Sequence, residues 1–150
     1  MSKFRNRDSL LSVGDKESRN IVLTIADRVL ARLDAYHRIK GITRLDGDIL
    51  TIGTRTWDLS TKRNVYLVGA GKACNHMAMA IDETLGDRLT RGIAIVKVPE
   101  ESDRFNRTDV YVGGHPVPNE AGYRASLEIL ELADSAGPDD LFIAVVSGGS

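Results

Sequence analysis

Apolar residues recur at three- and four-residue steps from about Asp15 to Ile39. Ile21, Val22, Ile25, Ala26, Val29, Leu30, Leu33 and Tyr36 form one stripe, which predicts a single long helix packed on a domain's flank, with Gly41 as its stop. Residues 1–14 ahead of it are polar and irregular and are expected to be flexible. Between 43 and 60 the pattern shortens to strands around turns, punctuated by Asp46-Gly47 and Gly53, with Leu50, Ile52, Trp57 and Leu59 as the apolar members. From Asn64 onward nearly continuous apolar runs alternate with helical spacing. The reading is a strand at Val65–Val68, a helix at about Lys72–Leu85 closed by Gly86, strands at Ile93–Val98 and Asp109–Val112, a helix at about Glu120–Ser135, and a strand at Leu141–Val146. Such alternation predicts the α/β class, a mostly parallel sheet with helices on both faces. The last strand runs into Ser-Gly-Gly-Ser where a helix is due, so the fold reads as truncated before completion.

Composition narrows the function classes. A chain of 150 residues, 42% apolar and 27% charged, is long enough for one globular domain with a real core. A net charge of −1 supplies no broad positive field for nucleic acid or an anionic membrane, so neither is expected as a partner and any anion site must be local. The longest apolar run, Leu141 to Val146, is far short of the ~20 residues that span a bilayer. Lys3, Arg5 and Arg7 are followed by no apolar segment of the secretory kind. The single cysteine, Cys74, has no partner for a disulfide or a Cys-based metal site, and a reducing cytoplasm is the expected location.

The candidate chemistry begins at Gly69-Ala70-Gly71-Lys72, where a strand turns into a helix. A helix start carries about half a positive charge and N–H groups without partners, so a lysine there is disfavoured by roughly 0.3–1 kcal/mol unless something negative joins it. Glycines that admit a bound group, N–H groups aimed at it and the charge of Lys72 describe a phosphate or carboxylate cradle; the alternative is a plain tight turn with a solvated lysine. A Walker A loop is excluded, because Tyr66 and Ala73 stand where Gly and Ser or Thr are required. A dinucleotide fingerprint is matched only in part. Cys74 occupies its third small position, and Lys97 and Val98 stand where an acidic residue would close the second strand, which disfavours a nicotinamide oxidoreductase.

Ser147-Gly148-Gly149-Ser150 presents the same chemistry after the last strand, with a plain turn as its alternative. In a parallel sheet both bends leave the carboxyl edge, where open α/β folds bind ligands, so the two are expected to face one ligand. In "GGHPVPNEAG", residues 113–122, Pro116 and Pro118 stiffen a loop that carries His115, and Asn119 stands where a helix cap is wanted. His115 is read first as loop architecture and second as a site residue. His37 and His76 are read as structural, although His76 lies one turn on from Lys72. Lys97, Asp82, Glu83 and the Glu100–Asp103 run are read as solvated surface, with Lys97 able to add charge to the crevice from its strand end.

Together, "VGAGKA", "GGHPVPNEAG" and "VVSGGS", with "MAMAIDETLGDRLTRGIAIVK" and the first helix, resemble the N-terminal region of the glycerate 2-kinase family over most of residues 15–150. The resemblance implies a partial Rossmann-like domain at 15–150 that faces a second, C-terminal domain absent from this chain. It implies ATP-dependent phosphorylation of D-glycerate at the 2-hydroxyl, with ATP and Mg²⁺ as the expected cofactors. Lys72 falls on the family's proposed catalytic lysine. Gly69 and Gly71, and Ser147, Gly148, Gly149 and Ser150, fall on the nucleotide and substrate crevice. The alternative is a non-catalytic module that binds a phosphorylated or nucleotide ligand through the same loops and is inactive without the second domain or a partner chain.

Overall fold

The N-terminal apolar stripe is divided between two helices. The computed structural model describes residues 2–101 and 103–147. After a short helix α1 (Arg7–Leu11), α2 spans Lys16–Arg32 and α3 spans Ala35–Ile42, where one continuous helix was expected. Asp34 is the reason for the break: its carboxylate accepts the backbone N–H of His37 at 3.1 Å and starts α3 afresh, as Asp15 starts α2 through the N–H of Ser18 at 3.0 Å. Gly41 lies inside α3 instead of ending it. The break turns α3 onto α4, while α2 projects with Ile21, Val22, Ile25, Val29, Leu30 and Leu33 exposed, so most of the stripe lies uncovered on this chain instead of packing on the flank. Residues ahead of α2 are tied down rather than loose: Arg7 Nη1 meets Asp27 Oδ2 at 2.8 Å, and the Lys3 amide and Ser2 hydroxyl donate to the same carboxylate.

Three short strands follow as an antiparallel meander, β1 (Thr43–Asp46), β2 (Ile49–Ile52) and β3 (Arg55–Asp58), with glycine opening each two-residue turn. Leu50, fully buried, fastens the meander to the main core.

The second sheet positions the site. Its strands β4 (Val65–Ala70), β5 (Arg91–Val96), β6 (Thr108–Val112) and β7 (Leu141–Val146) are all parallel, in the order β6-β5-β4-β7. The chain starts at β4 and passes through α4 (Cys74–Leu85) to β5, then runs outward to β6. It returns through α5 (Glu120–Ser135) to β7 on the far side of β4. Right-handed crossovers in opposite directions place α4 and α5 on opposite faces of the sheet. The point where the direction of winding reverses falls between β4 and β7. Leu67, Ile81, Leu85, Leu89 and Val96, each under 3% exposed, fill the space between sheet and α4. β5 is offset from the sequence reading, ending at Val96, so Lys97 lies just beyond the strand.

Asp82, expected at the surface, is fully buried at the end of α4. Its carboxylate accepts the N–H groups of Asn106 (2.8 Å) and Arg107 (3.1 Å) and the hydroxyl of Thr108 (2.6 Å), which fixes the entry into β6. Amphipathic spacing does not distinguish a buried, fully bonded carboxylate from a solvated one.

Candidate functional site

At the end of β4 the backbone turns sharply. Gly71 has φ +112°, a conformation that L side chains rarely adopt, and it admits the turn that leads into α4. Lys72 and Ala73 fill that turn, so Lys72 stands just ahead of the helix instead of in its first turn; α4 itself begins at Cys74, whose N–H donates to the Gly71 carbonyl at 3.2 Å. Side chains cap α2, α3 and α5, the last through Asn119 Oδ1, which accepts the Gly122 N–H at 2.9 Å. No side chain caps α4, and its first turn contains no acid. Its leading N–H groups and the exposed ammonium of Lys72 thus point to the same rim without an internal anion.

Gly69 lies one layer below. A Cβ there would come within 2.9 Å of Cys74 Sγ and 3.0 Å of Val145 Cγ2, so glycine permits the close approach of helix and strand. Cys74 is completely buried, and burial pushes its thiol up to about 11; its Sγ lies 3.5 Å from the Ile95 carbonyl as a weak donor. Gly69 is therefore needed for the packing beneath the turn.

A cleft of about 200 Å³ opens at the carboxyl ends of β4, β5 and β6. Gly71, Lys72 and His115, all singled out in the sequence, line it together with Lys97, Gly113 and Gly114. The loop that carries His115 is held tightly. A Cβ on Gly113 would stand 2.7 Å from Ile95 Cγ2, one on Gly114 would stand 2.1 Å from the Val117 carbonyl oxygen, and Asn119 Nδ2 donates to the Val112 carbonyl at 3.0 Å. The stiff loop was legible from Pro116 and Pro118; the place of Gly113 and Gly114 in the cleft needed the strand order. His76 is not part of this wall, because its Nε2 faces Glu100 Oε2 at 3.4 Å.

Ser147 occupies the other flank of β4. Ala70 pairs with Val146, and the Ser147 amide lies 3.3 Å from the Ala70 carbonyl oxygen, so Ser147 stands beside the end of β4 at the reversal point. Ser147 Oγ is buried with no hydrogen-bond partner among the described residues. Gly148, Gly149 and Ser150 lie outside the described residues. No group of three or more His, Cys, Asp or Glu side chains is placed to hold a metal among the described residues, and no helix there is long and apolar enough to cross a membrane.

Sheet order, an uncapped helix start and a cleft with two lysines at the carboxyl rim define a Rossmann-like α/β domain. Residues 21–150 match the family described as "Domain of unknown function (DUF4147)", and the chain belongs to that family, as the N-terminal part of the glycerate 2-kinase type. It is similar to the D-glycerate 2-kinase of Thermotoga maritima, at 34% identity over 57% of this chain and 20% of that protein. It is similar to the glycerate kinase of Homo sapiens as well, at 33% identity over 69% of this chain and 22% of that protein. The crystal structure of a protein from Pyrococcus horikoshii OT3 superposes with a TM-score of 0.72 and 26% identity, over 87% of this chain and 29% of that one. The chain thus spans between a fifth and three tenths of the length of these relatives.

Proposed function

We propose that this chain forms the phosphoryl-transfer wall of a D-glycerate 2-kinase, which moves the γ-phosphoryl group of ATP to the 2-hydroxyl of D-glycerate and yields 2-phosphoglycerate and ADP. The observation that carries the reading is the placement of Lys72 over the uncapped start of α4, beside the reversal point of the sheet. The names of the relatives favour catalysis over a non-catalytic binding module. A second domain, supplied by the greater length of the relatives, would close the crevice from the other side.

In this reading the 2-hydroxyl oxygen forms a bond to the γ-phosphorus as the bond to the β,γ-bridging oxygen breaks, and the leaving electron pair remains on ADP. Transfer of this kind needs positioning and charge neutralisation more than covalent help. Lys72 supplies a full positive charge at the transferred group or the developing anion, and the α4 N–H groups and the Gly71 turn offer donors to phosphate oxygens. Among the described residues that line the cleft none is a carboxylate. What this chain brings to the phosphates is ammonium groups and backbone N–H groups.

The test is Lys72→Met in the full-length protein, assayed for glycerate-dependent ADP formation with the 2- and 3-phosphate products resolved. By analogy with loss of a transition-state donor, the rate should fall by roughly 10²–10³ or more. Full activity in that variant removes Lys72 from the mechanism. Absence of any glycerate-dependent turnover in the wild-type protein removes the reaction itself.

A further inference from the structure

Lys97 carries no role in the reaction described so far. It follows directly on β5, and its side chain lines the same cleft as Lys72 and His115. Two of the three acids that follow it most closely, Glu100 and Asp103, are engaged elsewhere: Glu100 faces His76, and Asp103 accepts Asn75 Nδ2 at 3.1 Å and the Glu100 amide at 2.8 Å. Among the described residues neither Lys72 nor Lys97 has a carboxylate within ion-pair distance. Both lysines line one cleft, and a small anion in it would be attracted to each. The opposite wall is preformed, since the tight packing of Gly113 and Gly114 holds the His115 loop against β5. At about 200 Å³ the space is below the ~300–1,000 Å³ of clefts that enclose drug-sized ligands, and suits a small carboxylate better than a nucleoside.

We infer that Lys97, which lines the cleft together with Lys72 and His115, binds the carboxylate of the phosphoryl acceptor and makes the site selective for 2-hydroxy acids over uncharged polyols. This inference rests on the kinase reading above. An acceptor held by its carboxylate at Lys97 presents the hydroxyl on the adjacent carbon toward Lys72, and the 3-hydroxyl lies one carbon further away. Lys97 is a specificity residue here, distinct in role from the charge-neutralising Lys72.

Steady-state kinetics of the full chain with Lys97→Gln and Lys97→Arg test it. Lys97→Gln should raise KM for D-glycerate tenfold or more with KM for ATP within twofold of wild type; Lys97→Arg should restore most of the loss. Glyceramide, which carries an amide in place of the carboxylate, should be used equally poorly by wild type and Lys97→Gln. A raised KM for ATP with an unchanged KM for D-glycerate overturns the assignment in favour of a nucleotide contact, and unchanged values for both overturn it outright. If the wild-type protein turns over no D-glycerate, the kinase reading fails by itself, and calorimetric titration with D-glycerate decides Lys97. Binding that is lost in Lys97→Gln supports the carboxylate site, and equal binding or none overturns it.

Discussion

The two rims of the parallel sheet are built from the same residue types and used in opposite ways. At the amino rim charges meet partners. Asp140 accepts Arg63 Nη2 at 2.5 Å, Asn64 Nδ2 at 3.0 Å and the Gly137 N–H at 2.7 Å, Asp82 collects three donors ahead of β6, and Thr90 Oγ1 accepts the Val65 N–H at 3.0 Å. At the carboxyl rim Lys72 and Lys97 stand without carboxylates, and the start of α4 has no cap. A buried polar group left without a partner costs about 1–3 kcal/mol, whereas an exposed one is satisfied by water or a ligand. The amino rim therefore carries stability, the proposed site lies at the carboxyl rim, and substitutions at the two should separate cleanly.

The sharpest separation should come from Lys72→Met. It should cut turnover as described above while the thermal unfolding midpoint stays within a degree or two of wild type, since the side chain is exposed and has no hydrogen-bond or ion-pair partner among the described residues. A large drop in midpoint would break the division of roles. Asp82→Ala should do the reverse. With two backbone N–H groups and a hydroxyl left unpaired, unfolding in urea should show a loss of about 3 kcal/mol or more, and the protein that remains folded should keep its KM values. Gly69→Ala should cost about 1–3 kcal/mol by overpacking, because the added methyl meets Cys74 Sγ and the Val145 methyl; denaturation curves check it. The smallest effect is a pH dependence. Hydrogen bonds and charge from Arg63, with the Gly137 N–H, hold the Asp140 carboxyl well below its ordinary value of 3.8. A carboxylate depressed in the folded state stabilises above the unfolded value and loses that contribution as pH falls toward the folded one. The stability gap between wild type and Asp140→Asn should therefore be flat from pH 7 to about 4.5 and close below pH 3.8. A gap that widens on acidification would show that Asp140 is not held as an anion.

The periodic elements were the legible part. Runs such as Leu141–Val146 and the stripe of α5 specify their own conformation, and the alternation from Val65 onward was enough for a parallel sheet. The exception was Asp34, whose capping role is a local competition that apolar spacing does not register; Asp34 accepts two bonds from His37 and one from Lys3, and these outweigh desolvation and hold its carboxyl down to about 2. At the site, Gly71, Lys72 and His115 announced themselves through turn chemistry. Lys97 was read first as solvated surface and second as a charge for the crevice from its strand end; the strand order, which brings β5 beside β4, places it in the cleft. Gly69 was legible as a necessary glycine, yet whether it faces a ligand or a helix depends on which side of the strand α4 covers.

Cys74 gives this molecule a built-in clock. It is the only thiol in the chain, fully enclosed beneath the turn that carries Lys72, and with its proton held to about pH 11 it is nearly all unreactive thiol at neutral pH. A maleimide can reach it only when the first turn of α4 lifts from the sheet, so the rate of alkylation counts those openings one molecule at a time. An anion that bridges the turn and the helix start would lengthen the interval between them, with no need for a second probe.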